Sequence, residues 1–319
     1  IADMYLYPTF PEKVLVKEKG VIVEEINMYE DLPQIMVHEV FDGLLYGDQP
    51  AGWSVAGTRE NVRGFTRKDF VNYRKQHYVA KATTIVVAGD VDANDIFKKV
   101  AKAFREIPIG KKTTKKKVVE KQTGPSVGLK FKETDQTHLV LGFRAFDLYD
   151  KRMPILNVLS AMLGKGMSSR LFQKMRDQLG ICYYVKAGVN DLTDHGSFIV
   201  SAGVDSSRVE EGIKGILEEF VRIRDEKVSE AELRKTKDYL LGNLYLGLES
   251  SDSLANFYGA QEIFKQKIKN PKDVEKEIEK ITANDIAKVA KEIIQNKKLN
   301  LAIVGKYKDE SRFKNILKV

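Results

Sequence analysis

The chain has 319 residues, 43% hydrophobic and 31% charged, which is typical of a globular protein with room for two domains and excludes a disordered or fibrous one. No apolar run approaches the roughly 20 residues that a membrane span needs. One cysteine, Cys182, excludes an intrachain disulfide framework and a cysteine-rich zinc finger. The sequence starts at Ile1 without a visible signal peptide, and we expect a cytoplasmic protein.

The net charge of +8 raises the possibility of a nucleic-acid partner. The densest basic run, 111–117, has no aromatic residues between its lysines for stacking on bases. Most other lysines alternate with glutamates, as along 275–280, which is typical of solvated helix faces. We therefore interpret the lysine run as part of a linker and expect no nucleic-acid partner.

Apolar spacing and N-cap residues predict helices and strands in two segments of the chain. The first segment is predicted to contain a long helix over 12–31, a helix from Thr66 to about Tyr78 and a strand over 84–88. The elements predicted for the second segment are strands at 127–132 and 138–144, helices at 152–164 and 168–178, strands at 181–190 and 197–204, a helix at 206–225, a long helix from Ser229, a helix from Thr282 and a strand at 299–304.

The two segments contain an internal repeat. From Thr66 to Gly89 and from Thr282 to Gly305 the chain advances 23 residues in both cases, through a threonine-capped helix, a strand and a glycine. A long helix precedes each unit, but about 100 residues lie before it in the second segment and only ten in the first. If the segments are true repeats, about 90 further residues belong upstream of Ile1.

The repeat predicts two related lobes. The first, 1–110, is the C-terminal part of one lobe, 111–126 is the linker, and 127–319 is the second lobe. Because helices are grouped rather than alternating with single strands, we predict an α+β fold, with mostly antiparallel sheets covered by helices on one face and an incomplete first lobe.

Two acidic residues mark the first long helix. Glu18 and Glu25 are seven residues apart and share the spacing of Val14, Val21, Ile22 and Met28, so they are predicted to face a core. A buried carboxylate needs a cation, a metal or several hydrogen-bond donors. Two alternatives to a metal stay open: the glutamates form ion pairs with arginines, or they lie at the solvent-exposed edge of the apolar stripe. At the equivalent positions the second segment has neutral residues, Thr236 and Asn243.

No partner for these acids is evident among the four histidines. His38, His77, His138 and His195 form no HxxxH, HExxH or HxxEH motif. We expect each of them to be an ordinary surface or core residue.

Several motifs, in order along nearly the whole chain, resemble the insulinase/pitrilysin zinc metallopeptidases, nearest to the mitochondrial processing peptidase branch. They are Phe10-Pro11-Glu12, the run 18–26 (EKGVIVEEI), the run 46–52 (YGDQPAG), the run 57–62 (GTRENV), the run 87–92 (VAGDVD) and the run 163–172 (LGKGMSSRLF) followed by 176–183.

The resemblance implies roles for particular residues. Glu25 would be the third zinc ligand, and Glu18 a carboxylate that supports the site. Arg176 and Tyr183 would hold the substrate and its oxyanion. The HxxEH motif, with two histidine ligands and the general base, would lie upstream of Ile1. Without the resemblance, Arg176 is predicted to be a helix-surface residue and Tyr183 a strand core residue.

The leading hypothesis is a zinc-dependent metalloendopeptidase, with one catalytic Zn²⁺, that hydrolyses peptides or unfolded polypeptides bound as an added strand. As given, the chain is expected to be inactive alone. The alternative is a non-catalytic member that binds peptides or acts as a structural subunit, in either case possibly within a homo- or hetero-dimer. An HxxEH motif in the parent gene would distinguish them.

Overall fold

A computed structural model describes residues 1–319. Its helices are α1 (Ala2–Leu6), α2 (Glu12–Asp31), α3 (Pro33–Tyr46), α4 (Arg59–Gly64), α5 (Arg67–His77), α6 (Ala93–Ala103), α7 (Met153–Gly164), α8 (Val209–Asp225), α9 (Glu230–Leu246), α10 (Ser251–Ile263), α11 (Pro271–Glu279), α12 (Ala283–Ile293) and α13 (Ser311–Lys314). A π-helix covers Phe172–Gln178. The strands are β1 (Ser126–Phe131), β2 (Gln136–Ala145), β3 (Cys182–Asp191), β4 (Gly196–Asp205) and β5 (Leu299–Gly305).

The chain forms two compact units, each built from separate stretches of sequence. Unit 1 comprises Ile1–Met28, Val55–Lys116 and Tyr245–Lys269, and unit 2 comprises Tyr29–Ser54, Lys117–Leu244 and Asn270–Val319. Helix α3 therefore belongs to unit 2 and α10 to unit 1, although the repeat places each in the other half of the sequence. The two units are defined by contacts in space, whereas the lobes were predicted from a repeat in the sequence. The lobe limits 1–110 and 127–319 therefore stay a prediction.

Unit 2 is organised around one mixed sheet. Its strand order is β1-β5-β2-β4-β3, and every neighbouring pair is antiparallel except β1 with β5. The grouped helices and mostly antiparallel sheet confirm the predicted α+β class.

Helices cover both faces of this sheet, not one as expected. Alternate residues of β2 face opposite sides, as the two-residue period of a strand requires. Leu139 and Leu141 pack into the main core with residues of α7, α8 and α12, whereas Val140 packs against Val37 and Phe41 of α3. Sequence reasoning missed the second layer because α3 comes from a distant stretch of sequence.

The capped helices of the repeat are confirmed. Thr66 and Thr282 each form a capping box, with Asp69 and Asp285 respectively. Each aspartate bonds back to the backbone N–H of its threonine, at 2.7 and 3.0 Å. These bonds satisfy donors that the first turn of a helix leaves free.

The strand predicted over 84–88 is wrong, although its equivalent is β5. The segment has no regular secondary structure and no strand partner, and Ile85, Val86 and Val87 are 42%, 38% and 47% exposed. Every residue of β5 is buried between β1 and β2. A strand needs a neighbour for its backbone hydrogen bonds, and unit 1 contains no other strand.

Amide hydrogen exchange should separate these two equivalent segments. We expect the amides of 84–88 to exchange within seconds and those of 299–305 to be protected by several orders of magnitude, since only β5 has ladder partners. Mass spectrometry of peptides covering both segments in one sample provides the comparison. Similar protection in both would contradict the unpaired state of 84–88.

None of the helices combines the length and the hydropathy that a membrane-spanning helix needs.

Candidate functional site

Arg176 and Tyr183, seven residues apart in sequence, lie side by side in unit 2. The Arg176 guanidinium carbon is 5.7 Å from the centre of the Tyr183 ring, in cation–π geometry. Arg176 Nη1 donates a hydrogen bond of 2.7 Å to the backbone oxygen of Cys182. The structure thus brings together the two residues that the resemblance assigns to substrate binding.

Local backbone geometry explains how this contact forms. Arg176 lies near the end of the π-helix, and the chain reverses at Gly180, which has φ +59°, a conformation that favours glycine. Strand β3 then starts with a bulge between Cys182 and Tyr184, where the pairing with β4 shifts by one residue. A bulge leaves its extra residue out of the ladder and redirects that side chain.

The bulge turns Tyr183 outward. Its side chain is 74% exposed, whereas Cys182 and Val185 beside it are buried. The prediction of a strand core position for Tyr183 is therefore wrong, because alternation along β3 is broken at the bulge. Arg176 is exposed, as predicted for a helix-surface residue.

The pair can bind a polypeptide backbone. Arg176 is exposed and has five N–H donors, and its bond to the Cys182 backbone oxygen through Nη1 leaves other donors for a substrate carbonyl. The exposed Tyr183 hydroxyl can donate to a second oxygen or to a developing oxyanion.

Glu18 and Glu25 lie on the exposed face of α2 in unit 1, so the prediction that they face a core is wrong. The residues of α2 that are buried are Val23 and Ile26, which pack with Val62 of α4. Helix α2 carries two apolar stripes, and spacing alone did not show which one faces the core. The exposure of the two acids agrees better with the alternative that they lie at the solvent-exposed edge of the apolar stripe.

The apolar residues on the same stripe as these acids are also exposed. Val14, Val21 and Met28 are each nearly half exposed. Neither Glu18 nor Glu25 is occupied by an ion pair or hydrogen bond. Both carboxylates are therefore free to bind a ligand.

The residues of this chain do not fit a complete zinc site. No three side chains of His, Cys, Asp or Glu are placed to hold a metal ion. Catalytic zinc requires three protein ligands, and Glu25 supplies one.

Three of the four histidines have other partners, as expected for ordinary core and surface residues, and His38 is half-buried on α3. The partners are Thr113 Oγ1 at 3.0 Å for His77, the Tyr184 hydroxyl at 3.0 Å for His138 and Asp194 Oδ1 at 2.8 Å for His195.

Comparison with known proteins decides the family. Residues 64–240, more than half of the chain, match the family model described as "Peptidase M16 inactive domain". The chain belongs to the peptidase M16 family. The match starts at the end of α4 and ends within α9, so it includes Arg176 and Tyr183.

Bacterial relatives of this M16 chain cover nearly its whole length. It is 30% identical over 293 residues to an uncharacterized zinc protease, YmxG, of Bacillus subtilis, which covers 92% of this chain and 71% of that protein. An uncharacterized zinc protease of Streptomyces coelicolor, SCO5738, is 29% identical over 319 residues, covering 97% of this chain and 69% of that protein.

Solved structures share the fold. A protease from Helicobacter pylori has a TM-score of 0.88 at 21% identity, covering 95% of this chain and 75% of that one. A peptidase M16 inactive domain from Pseudomonas fluorescens has a TM-score of 0.88 at 19% identity, covering 96% and 73%. A chain of complex III2 from Candida albicans has a TM-score of 0.83 at 18% identity, covering 100% and 77%.

Sequence reasoning missed a set of ion pairs in unit 2 that includes one fully buried carboxylate. Glu219 of α8 is 1% exposed and accepts a 2.8 Å bond from Arg222 Nη1. Arg170 forms two bonds with Glu232 of α9. A signal for Glu219 was present, since it lies on the apolar stripe of α8 between Ile216 and Phe220.

A second acid in a desolvated position is Asp42 on α3, which is partly buried. Burial raises the pKa of Asp42 to about 6, while His195 opposes the rise and Glu39 adds to it. His195 is buried beneath the ring of Tyr46 and bonded to Asp194.

The raised pKa of Asp42 predicts a pH effect on stability. The folded state holds the proton more tightly than the unfolded state, so the stabilisation is complete below about pH 4 and is lost as pH rises through about 6. We expect Asp42→Asn to gain stability relative to wild type between pH 4.5 and pH 7.5, by up to about 3 kcal/mol.

Urea unfolding at both pH values provides the measurement. Asp135→Asn, at an exposed position of unit 2, is the control for a simple change of net charge. Equal shifts for the two variants would contradict the effect of burial.

Proposed function

We propose that this M16 chain contributes the substrate-holding residues, and one zinc ligand, of a zinc metalloendopeptidase that hydrolyses peptides or unfolded polypeptides. The observation that carries the proposal is the contact between Arg176 and Tyr183. Tyr183 lies at the start of the edge strand β3 and Arg176 lies beside it, and donors from both residues suit an extended backbone because they bind carbonyl oxygens whatever the substrate side chains. The relatives named zinc proteases support the class of reaction.

The proposal assigns the chain a part of the reaction. Arg176 would bind a substrate carbonyl and Tyr183 the oxygen on which negative charge develops. Glu25 would be one zinc ligand, with Glu18 in support. The two histidines and the general base would have to come from a further HxxEH segment of polypeptide. The 319-residue chain alone should therefore show no chelator-sensitive turnover.

Binding of an unfolded polypeptide tests the proposal without metal. The probe is a fluorescently labelled polypeptide that is reduced and alkylated so that it cannot refold, and the readout is fluorescence anisotropy. We expect wild type to bind the polypeptide. Arg176→Ala loses a charged hydrogen-bond donor and Tyr183→Phe loses a neutral one, so each variant should have an affinity about tenfold lower.

Lys186→Ala is the matched control, because it removes a positive charge from an exposed position on the same strand. Equal affinities of wild type and both site variants would overturn the proposed site.

A non-catalytic role is the second candidate, and specific observations favour it. Glu18 and Glu25 are exposed rather than enclosed, and the matching family model is described as an inactive domain. In that case the chain would bind peptides or a partner subunit through the same edge. Absence of an HxxEH motif from the parent gene, together with polypeptide binding that survives, would favour this alternative.

A further inference from the structure

The short helix that carries Arg176 covers 170–178, including the π-helix, and its first residue belongs to a partly buried ion pair. Arg170 donates from Nε to Glu232 Oε1 at 2.7 Å and from Nη2 to Glu232 Oε2 at 2.8 Å. The two side chains are 14% and 22% exposed. A two-bond pair of this kind fixes orientation as well as distance, which a single ammonium contact does not.

The helix itself provides little independent stability. It changes from an i→i−4 bond at Gln173 N to an i→i−5 bond from Leu179 N to Lys174 O, and Phe172–Gln178 is π-helical. Such wide turns are rare and depend on their surroundings. Within the π-helix only Met175 is buried.

Side chains from neighbouring elements hold this helix in place. Lys174 pairs with Glu218 of α8, and Arg208 donates to the backbone oxygen of Leu179. Lys235 of α9 donates to Ser168 O at 3.0 Å in the loop before the helix. The pair of Arg170 with Glu232 is the least exposed ion pair among these contacts, because Glu218 is 60% exposed.

We propose that Arg170, through its two bonds to Glu232, is a positioning residue that sets where Arg176 meets Tyr183. The consequence for substrate rests on the proposed function, but the positioning itself does not. Arg170 fixes the first turn of the helix to α9. Arg176 lies six residues later, in a helix whose position depends on its contacts with neighbouring elements. Loosening the anchor should let the helix rotate and break the bond from Arg176 to Cys182.

The test compares Arg170→Lys, Glu232→Gln and the swapped double variant Arg170→Glu with Glu232→Arg. Lysine keeps the charge but loses the paired geometry, and glutamine keeps one of the two bonds. The first readout is the side-chain ¹⁵N NMR signal of Arg176 together with the ring signals of Tyr183. The second is affinity for the alkylated polypeptide.

In both single variants we expect the Arg176 NMR signals to broaden or shift and the affinity for the polypeptide to fall about tenfold. The swapped double variant should restore most of the Arg176 signals and most of the affinity. Arg234→Lys, on the exposed face of α9, should change neither readout. Glu232→Gln keeps the test valid if Arg170→Lys does not fold.

Unchanged Arg176 signals in both single variants would overturn the positioning role. Loss of affinity without a change in these signals would also overturn it. If wild type binds no polypeptide, the proposed function fails, and the NMR readout still decides the positioning.

Discussion

Replacing Arg222 by alanine is expected to lower the free energy of unfolding by about 3 kcal/mol, because it removes the ion partner of a buried carboxylate. Arg222 itself is 51% exposed, so little packing is lost, whereas Glu219 is 1% exposed. Glu219 Oε2 already lacks a hydrogen bond. Without Arg222, the second oxygen would lose its partner as well.

Arg234→Ala is the matched control for this experiment. Arg234 lies on α9 and pairs with Asp238 at 2.6 Å and with Glu279 at 3.2 Å, but its side chain is 61% exposed and neither partner is buried. An exposed pair contributes at most about 1 kcal/mol, so the loss should be small. Equal losses for the two variants in urea unfolding would contradict the argument from burial.

A second substitution shows whether the charge is responsible. Adding Glu219→Gln to Arg222→Ala removes the unpaired negative charge and should recover most of the lost stability. If the double variant is no more stable than the single one, the loss comes from packing of the Arg222 side chain and not from Glu219.

The fold of unit 2 could be predicted well from sequence because each local signal agreed with its surroundings. Strand alternation and capping residues such as Thr282 predicted all five strands and most helices of the second segment in their correct order, but not α10, α11 or α13. The strand at 84–88 failed although its sequence signal is as strong, because pairing depends on a neighbouring strand that unit 1 does not contain. The layer formed by α3 also could not be predicted, since no local signal indicates contact with a sheet far along the chain.

The acidic residues show why burial is difficult to read from spacing. Glu18 and Glu25 follow an apolar stripe and are exposed, whereas Glu219 follows one and is buried. The difference lies in the partner surface. Helix α8 packs into the main core, but α2 packs only two residues deeply, against α4. A stripe thus predicts an apolar face, and the rest of the fold decides whether anything covers it.

The contact of Arg176 with Tyr183 was indicated by resemblance and not by physical pattern. Seven residues separate them across a π-helix, a glycine turn and a bulge, and each of these departs from regular periodicity. Functional sites are often where such departures are found, because the local rule is broken to direct a side chain outward.

Gly164→Ala is expected to destabilise the protein by about 3 kcal/mol, because it forces a methyl group into a closely packed backbone contact. A Cβ at this position would lie 2.2 Å from the backbone nitrogen of Ala187 and 2.6 Å from its Cβ. Gly164 is the last residue of α7, and Ala187 lies in β3. Relief requires the helix and the strand to separate, since neither contacting atom is the flexible end of a side chain.

Gly242→Ala in α9 is the control, because a Cβ there meets no atom within 4 Å. Alanine favours a helix over glycine, so this variant should gain up to about 1 kcal/mol. The Gly164 variant has a further consequence, because β3 also carries Tyr183. Its folded fraction should bind the alkylated polypeptide more weakly than wild type, which Gly242→Ala should not. Wild-type stability of Gly164→Ala would mean that α7 and β3 are not in the close contact on which the placement of Tyr183 depends.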